Sequence, residues 1–99
     1  MSPSAIQILS PARLHFIDTW PDVLKPWSLP KAAARIHALL LSAPSPLTAD
    51  DIIDALELSS GSASTQLRLL SELGMVERLR IMGVRKAHYA AISDPAHIF

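Results

Sequence analysis

The stretch PLTADDIIDALELSSGSASTQLRLLSELG, residues 46–74, decides the fold of this chain. Thr48 begins a T-x-x-D capping box, a pattern that satisfies the free N–H groups at the start of a helix. Ser59 is a suitable N-cap for a second helix, and Gly74 stands where a helix commonly ends on glycine. The stretch therefore predicts two helices joined by a tight turn at residues 58–61.

Prolines divide the sequence upstream of this stretch. Ser10-Pro11 is typical of a helix start, and this first helix is predicted to extend to about Trp20, before Pro21. Leu29-Pro30 begins another helix, which is rich in Ala and Leu and ends before the prolines at residues 44 and 46. Two helices are thus expected to precede the helix that Thr48 caps.

Downstream of Gly74 the period of the apolar residues changes. Residues 76–81 and 88–92 are predicted to be strands, with a turn at 83–86 between them. Two helices around a tight turn, followed by a hairpin, are the plan of a winged helix-turn-helix. The predicted fold is mainly α with a small β-hairpin. Its predicted parts are an N-terminal helical extension at 1–28, the winged helix-turn-helix domain at 29–93 and a C-terminal tail at 94–99.

The composition excludes several classes of protein. The 99 residues have 49% hydrophobic and 18% charged residues, which is too apolar for a disordered chain. There is no cysteine, so there is no disulfide framework and no thiolate metal site. The four histidines have no metal-like spacing, and the sequence lacks a G-x-S-x-G elbow and a glycine-rich phosphate loop. We expect neither an enzyme, nor a cofactor, nor a metal site.

The sequence also lacks the features of a membrane or secreted protein. Residues 38–41 are an unbroken apolar run far shorter than the roughly 20 residues that span a bilayer. Residues 1–9 have no basic region of the signal-peptide kind. We expect a cytoplasmic protein with no membrane partner.

The net charge of zero conceals an uneven distribution. Residues 44–58 contain four acidic residues and no basic one. Residues 59–93 contain five basic residues and two acidic ones. The basic residues are concentrated in the predicted hairpin, where a phosphate backbone would be met.

Four motifs carry a resemblance to a known family. They are L-P-x-x-A-x-R-I at 29–36, P-L-T-x-D-D-I at 46–52, S-x-S-T-x-L-R-x-L at 62–70 and G-x-R-K-x-x-Y at 83–89. In this order and spacing, the chain resembles the MarR-type winged helix-turn-helix transcription regulators, and most closely their GbsR-like subgroup. The resemblance extends from residue 29 to residue 99, about seven-tenths of the chain.

The resemblance implies a DNA-binding transcriptional regulator, a repressor, that binds duplex DNA as a homodimer. The helix 60–73 would enter the major groove, and the wing 75–92 would follow the backbone or minor groove. Family members commonly carry Arg and Asn where this chain has Ser60 and Ser62, and they continue past residue 95 into dimer-forming helices. The residues predicted to face DNA are Ser60, Ser62, Ser64, Thr65, Arg68, Arg80, Arg85 and Lys86.

The first helix is more apolar than a single packed helix requires. We therefore expect a dimer contact there. The chain is expected to be either a truncated or unusually short family member, or one in which dimerisation has moved to the N-terminal segment. Trp20 and Trp27 could alternatively form an aromatic wall for a cationic, osmolyte-related effector, and a protein effector is the other option. The alternative function is a protein–protein interaction or oligomerisation module with weak or no sequence-specific DNA binding. The candidate dimer residues are Phe16, Trp20, Val23, Leu24 and Trp27.

Overall fold

The structure, a computed structural model, describes residues 10–92. The predictions made for residues 1–9 and 93–99, including the C-terminal tail, lie outside the described residues. A short 3-10 helix, Lys25–Trp27, links the first two α-helices. The main elements are α1 (Pro11–Val23), α2 (Lys31–Leu41), β1 (Leu47–Thr48), α3 (Ala49–Leu56), α4 (Ser60–Glu72), β2 (Val76–Leu79) and β3 (His88–Ala91).

The α2 helix lies at the centre of the core. Seven of its eleven residues are buried, so it has neighbours on almost every side: α1, α3, α4 and β3 all pack on it. Ile36 and Leu39 are fully buried there, and each such side chain contributes about 1.5–3 kcal/mol to stability. The buried alanines of α2, Ala33, Ala34 and Ala38, are small enough to let the neighbouring helices approach closely. The Ala-rich and Leu-rich composition of α2 therefore suits a central helix.

The α1 helix packs against α2 and does not end where the sequence predicts. Ser10 caps it by accepting a hydrogen bond from the N–H of Arg13 at 3.2 Å, as expected. The predicted end at Trp20 is wrong, because the helix continues through Pro21 to Val23. An interior proline costs about 3 kcal/mol. Buried residues on both sides of it, Ile17 and Leu24, offset that cost by holding the segment on the core.

The capping box at the start of α3 is confirmed. Thr48 Oγ1 accepts a hydrogen bond from the N–H of Asp51, and Asp51 Oδ2 accepts one from the N–H of Thr48, both at 3.1 Å. Two free N–H groups are thereby satisfied, and the Asp51 carboxylate lies at the positive end of the helix dipole. This local motif fixes the start of the helix-turn-helix.

The turn between α3 and α4 is formed by other residues than predicted. Glu57 adopts a left-handed conformation with φ of 55°, and the N–H of Leu58 donates to the carbonyl of Ile53 at 3.1 Å. The predicted turn at 58–61 is therefore wrong, since α4 already begins at Ser60 and Gly61 lies inside it. Ser59 is the N-cap of α4, as predicted, and its hydroxyl accepts from the N–H of Ser62.

A small antiparallel sheet completes the domain, with strand order β1-β3-β2. The predicted hairpin of β2 and β3 is confirmed, while β1, two residues long, is an addition to the prediction. The first hairpin strand ends at Leu79, two residues earlier than predicted. The turn is correspondingly earlier: the N–H of Val84 donates to the carbonyl of Ile81 at 3.0 Å, and Gly83 has φ of 81°. We call β2, β3 and the residues between them the wing.

A polar contact lies between α1 and α2. Trp20 Nε1 donates a hydrogen bond to His37 Nδ1 at 3.0 Å, so the imidazole accepts it in its neutral form. Phe16 stacks against Trp20 with the ring centroids 5.0 Å apart. Burial lowers the pKa of His37 below its ordinary value, in keeping with the neutral form. Within residues 10–92, no helix is long and apolar enough to cross a membrane.

We predict that Glu57→Gly stabilises the domain. A non-glycine residue in the left-handed region costs about 1–2 kcal/mol, of which the greater freedom of glycine in the unfolded chain returns a part. Chemical denaturation followed by circular dichroism should show a gain of about 0.5–1 kcal/mol in the free energy of unfolding. Glu72→Gly, within helical backbone at the end of α4, should instead lose about 0.5–1 kcal/mol. A loss in both variants would contradict the assigned turn.

We also predict that His37 makes the stability depend on pH. In the unfolded chain His37 titrates near pH 6.5, and in the folded chain its pKa is lower. The unfolded state therefore binds more protons below pH 6.5, and the free energy of unfolding should fall as the pH drops from there. His37→Gln should flatten that fall, while His15→Gln, at an exposed position of α1, should keep it. An identical pH profile in wild type and His37→Gln would refute this assignment.

Candidate nucleic-acid interface

One face of α4 is polar, exposed and regularly spaced. Ser60, Ser64 and Arg68 succeed one another at intervals of four residues and so lie on one side of the helix. The opposite side carries Ala63, Leu67 and Leu70, which are buried in the domain. Because the serines are small and the neighbouring Gly61 has no side chain, few side-chain atoms project from the N-terminal end of the exposed side.

The exposed side of α4 forms one wall of a concave surface, and the wing forms the other. Arg78 on β2 and Tyr89 on β3 are register partners across the sheet. Both line the same cavity as the α4 residues, a space of about 530 Å³. We call this cavity the cleft. Its polar lining residues are Asp50, Ser60, Ser64, Arg68, Arg78 and Tyr89, with Ser71 farther along α4.

The structure brings some of the predicted α4 residues into the cleft and places others beside it. Ser60, Ser64 and Arg68 line it. Thr65 is exposed on the adjacent side of α4. Ser62 is half-buried, and its N–H is bound to the Ser59 cap. Ser62 is therefore the least available of the five predicted residues.

The predicted basic residues of the wing differ in their contacts. Arg80 Nη1 donates to the backbone carbonyl of Arg85 at 3.3 Å, which ties the two sides of the wing together. Arg85 is exposed and directly follows the turn of the wing at residues 81–84. Lys86 is also exposed, and its ammonium forms an ion pair with the carboxylate of Asp50 at the start of α3.

The contact with Asp50 stabilises the charged form of Lys86. The hydrogen bond to Asp50, and next the charge of that carboxylate, raise the pKa of Lys86 above its ordinary value. Both side chains remain largely open to water, so the pair is a weak and exchangeable one. Lys86 is thus fully charged but already has a partner, and a phosphate would have to replace the carboxylate.

Sequence reasoning missed four polar residues of the cleft: Asp50, Ser71, Arg78 and Tyr89. Arg78 had a local signal, because it stands two positions after buried Val76 and so shares its face of the strand. Tyr89 and Asp50 had none, since their place depends on the pairing of β3 with the other two strands.

The five candidate dimer residues are only partly available at the surface. Leu24 is buried in the core, and Phe16 and Trp20 are half-buried against it. Val23 and Trp27 are exposed, Trp27 to 65%. A dimer contact on α1 stays a prediction, and it now depends on these two residues. Among the side chains that the structure describes, no group of three or more His, Cys, Asp or Glu could hold a metal ion.

Comparison with known proteins extends this description. Residues 35–78 match the family model of the bacterial regulatory proteins of the arsR family. Over 80 residues the chain is 30% identical to the HTH-type transcriptional regulator MmpR5 of Mycobacterium tuberculosis, covering 80% of this chain and 48% of that protein. The chain therefore spans about half the length of this relative.

Solved structures share the fold. The crystal structure of a transcriptional regulator superposes with a TM-score of 0.77 at 28% identity, over 85% of this chain and 58% of that one. Apo MarR from E. coli superposes with a TM-score of 0.66 at 21% identity, over 92% of this chain and 71% of that one. A mutant of MepR from S. aureus, bound to an oligodeoxyribonucleotide, superposes with a TM-score of 0.68 at 17% identity. The match covers 88% of this chain and 62% of that one.

These similarities agree with the geometry of the described residues. The helix-turn-helix, the wing and the cleft between them are built from residues 46–91, and the arsR-family match covers most of that range. The predicted fold class is confirmed, and the likeness to MarR is one of fold. The chain shares the winged helix-turn-helix fold of these regulators.

Proposed function

We propose that this chain binds duplex DNA as a transcriptional repressor, with α4 in the major groove and the wing along the adjacent backbone. The observation that carries the proposal is the exposed row Ser60, Ser64 and Arg68, facing Arg78 across the cleft. A protruding helix with a basic wing beside it is the arrangement that reads base edges and contacts phosphates together. The MepR mutant that shares the fold is bound to an oligodeoxyribonucleotide, which supports DNA as the ligand.

The chemistry of α4 favours permissive reading of bases. Arginine makes bidentate bonds to guanine, each worth about 1–3 kcal/mol of discrimination, while serine accepts many partners. Arg68 is the one residue of the row with bidentate capacity, and Arg78 is close enough to contribute from the wing. Sequence preference would thus centre on Arg68, with phosphate contacts from the wing supplying much of the affinity.

The finer parts of the proposal rest on the resemblance. The chain acts in the cytoplasm as a homodimer of the MarR type, GbsR-like subgroup, and not as an enzyme. Two copies would occupy half-sites one helical turn apart. Exposed Val23 and Trp27, both within the N-terminal extension 1–28, supply an apolar surface for the contact between copies. A small molecule or a protein would serve as effector.

The alternative is a module that binds proteins and reads DNA weakly or not at all. The exposure of Trp27 favours it, since a large aromatic side chain open to water is typical of an interaction surface. A mobility-shift experiment at low salt separates the two functions: a clear shift supports the regulator, and no shift beside a heteromeric complex supports the module.

We predict that Arg85→Ala combined with Lys86→Ala weakens duplex binding. Each phosphate that the protein no longer neutralises reduces the slope of log Kobs against log salt concentration by about 0.9, so the slope of the double variant should fall by about two units. Fluorescence anisotropy with a labelled duplex over a salt series measures this. Arg13→Ala, on α1, is the control. Binding by the double variant that is as tight and as salt-dependent as that of wild type would refute the role of the wing.

We further predict that Asp50→Asn strengthens duplex binding. The substitution removes the carboxylate that holds Lys86, which leaves the ammonium free for a phosphate. Binding should then tighten at every salt concentration of the same series, while the slope stays near that of wild type, because Lys86 contacts one phosphate in both proteins. Asp54→Asn, an exposed carboxylate farther along α3, removes the same charge without freeing Lys86 and should change the affinity less. Equal effects of the two substitutions would show that only overall charge matters.

A further inference from the structure

The basic half of the wing lies beyond the paired part of its two strands. The last register pair of β2 with β3 is Leu79 with His88, so residues 80–87 have no strand partner. One backbone–backbone hydrogen bond lies within this segment, all of which the structure describes, and it closes the turn at residues 81–84. The ladder of strand bonds therefore does not hold residues 85–86, the two cations that follow the turn.

Side chains hold the backbone of these two cations instead. Arg80 Nη1 donates a hydrogen bond to the carbonyl of Arg85 at 3.3 Å. His88 Nδ1 lies 3.1 Å from the carbonyl of Lys86. A carbonyl oxygen only accepts hydrogen bonds, so this imidazole carries a proton on Nδ1 and donates it. Two successive carbonyls are thus each bound by one side chain, the first from the β2 side of the wing and the second from the β3 side.

A backbone that is fixed before DNA arrives favours contacts with phosphates. Arg85 and Lys86 have long side chains that lose rotamer freedom when they contact a phosphate, and a mobile backbone beneath them would add a further entropic cost. The two carbonyl bonds reduce that further cost in the free protein. Neither bond uses the guanidinium of Arg85 or the ammonium of Lys86, so both bonds are compatible with bound phosphates.

We propose that Arg80 and His88 are positioning residues for DNA binding, which hold the backbone from which Arg85 and Lys86 reach the phosphates. The inference rests on the proposed function. It changes the role predicted for Arg80, from a residue that faces DNA to one that acts through Arg85. It also gives a role to His88, which sequence reasoning did not connect with DNA.

A double-mutant cycle tests the role of Arg80. Arg80→Ala is made in the wild-type chain and in the Arg85→Ala, Lys86→Ala variant. Fluorescence anisotropy with a labelled duplex of about 24 base pairs, two helical turns, measures binding over a salt series that begins at low salt. In the wild-type chain, Arg80→Ala should weaken binding about twofold to tenfold, the range of one hydrogen bond. In the double variant it should change neither the affinity nor the salt slope, because neither cation remains to be positioned.

Arg68→Ala is the matched control for this cycle. Arg68 lies on α4 and lines the cleft, so its contact with DNA does not depend on the backbone of the wing. Its substitution should weaken binding by the same factor in both backgrounds. The cycle therefore separates an arginine that contacts DNA from one that acts through its neighbours.

Two substitutions of His88 test the second bond. The side-chain N–H of asparagine can take the place of Nδ1 as a donor, whereas leucine has a similar volume and no donor. His88→Asn should bind the duplex about as tightly as wild type, and His88→Leu about twofold to tenfold more weakly. Chemical denaturation followed by circular dichroism verifies that both variants are folded under the binding conditions.

Other outcomes would overturn the inference, and they distinguish it from the proposed function. An equal loss for Arg80→Ala in both backgrounds, with a slope lower by about 0.9 in each, would make Arg80 a phosphate ligand. No loss in either background would also refute its positioning role. Equal affinities of the two His88 variants would refute the role of His88. DNA binding stands in all three cases, whereas a wild type that binds no duplex at low salt would remove both proposals.

Discussion

The burial of α2 is the constraint on which the rest of the structure depends. A domain of this size has one core, and α2 supplies its centre, with α1, α3, α4 and β3 arranged around it. Because Ile36 and Leu39 are in contact with several elements at once, the positions of α3 and α4 relative to each other follow from packing on α2. The capped starts of α3 and α4 then set how far each helix extends toward the surface.

The central strand β3 brings the wing and the start of α3 together at the cleft. It pairs with β1 on one side and β2 on the other, and Tyr89 has register partners in both strands, Leu47 and Arg78. The pairing with β1 brings the start of α3 beside the wing, which is why Asp50 and Lys86 meet. The cleft is therefore lined by α3, α4, β2 and β3, and β3 connects the start of α3 with β2 by pairing with both β1 and β2.

Features that depend on residues close together in the sequence were predicted correctly. Several features that depend on strand pairing or on tertiary packing were missed. The capping box at Thr48, the Ser59 cap and the extent of α4 are local, and they were predicted correctly. The left-handed turn at Glu57 was not, because no glycine marks it. Strand β1, two residues long, is too short to show an alternating pattern of buried and exposed residues. The pairing of β1 with β3 brings Asp50 beside the wing, so the place of Asp50 in the cleft was missed as well. The continuation of α1 through Pro21 likewise came from tertiary contacts that no local rule contains.

The two tryptophans occupy environments so different that each reports on a separate process. Trp20 is half-buried and bound to His37, so its fluorescence depends on the contact of α1 with α2. Trp27 is open to solvent beyond the end of α1, so a quencher such as iodide reaches it, and its emission responds when that surface is covered. A chain with only these two tryptophans thus distinguishes unfolding from association by emission wavelength and quenching, without any introduced label.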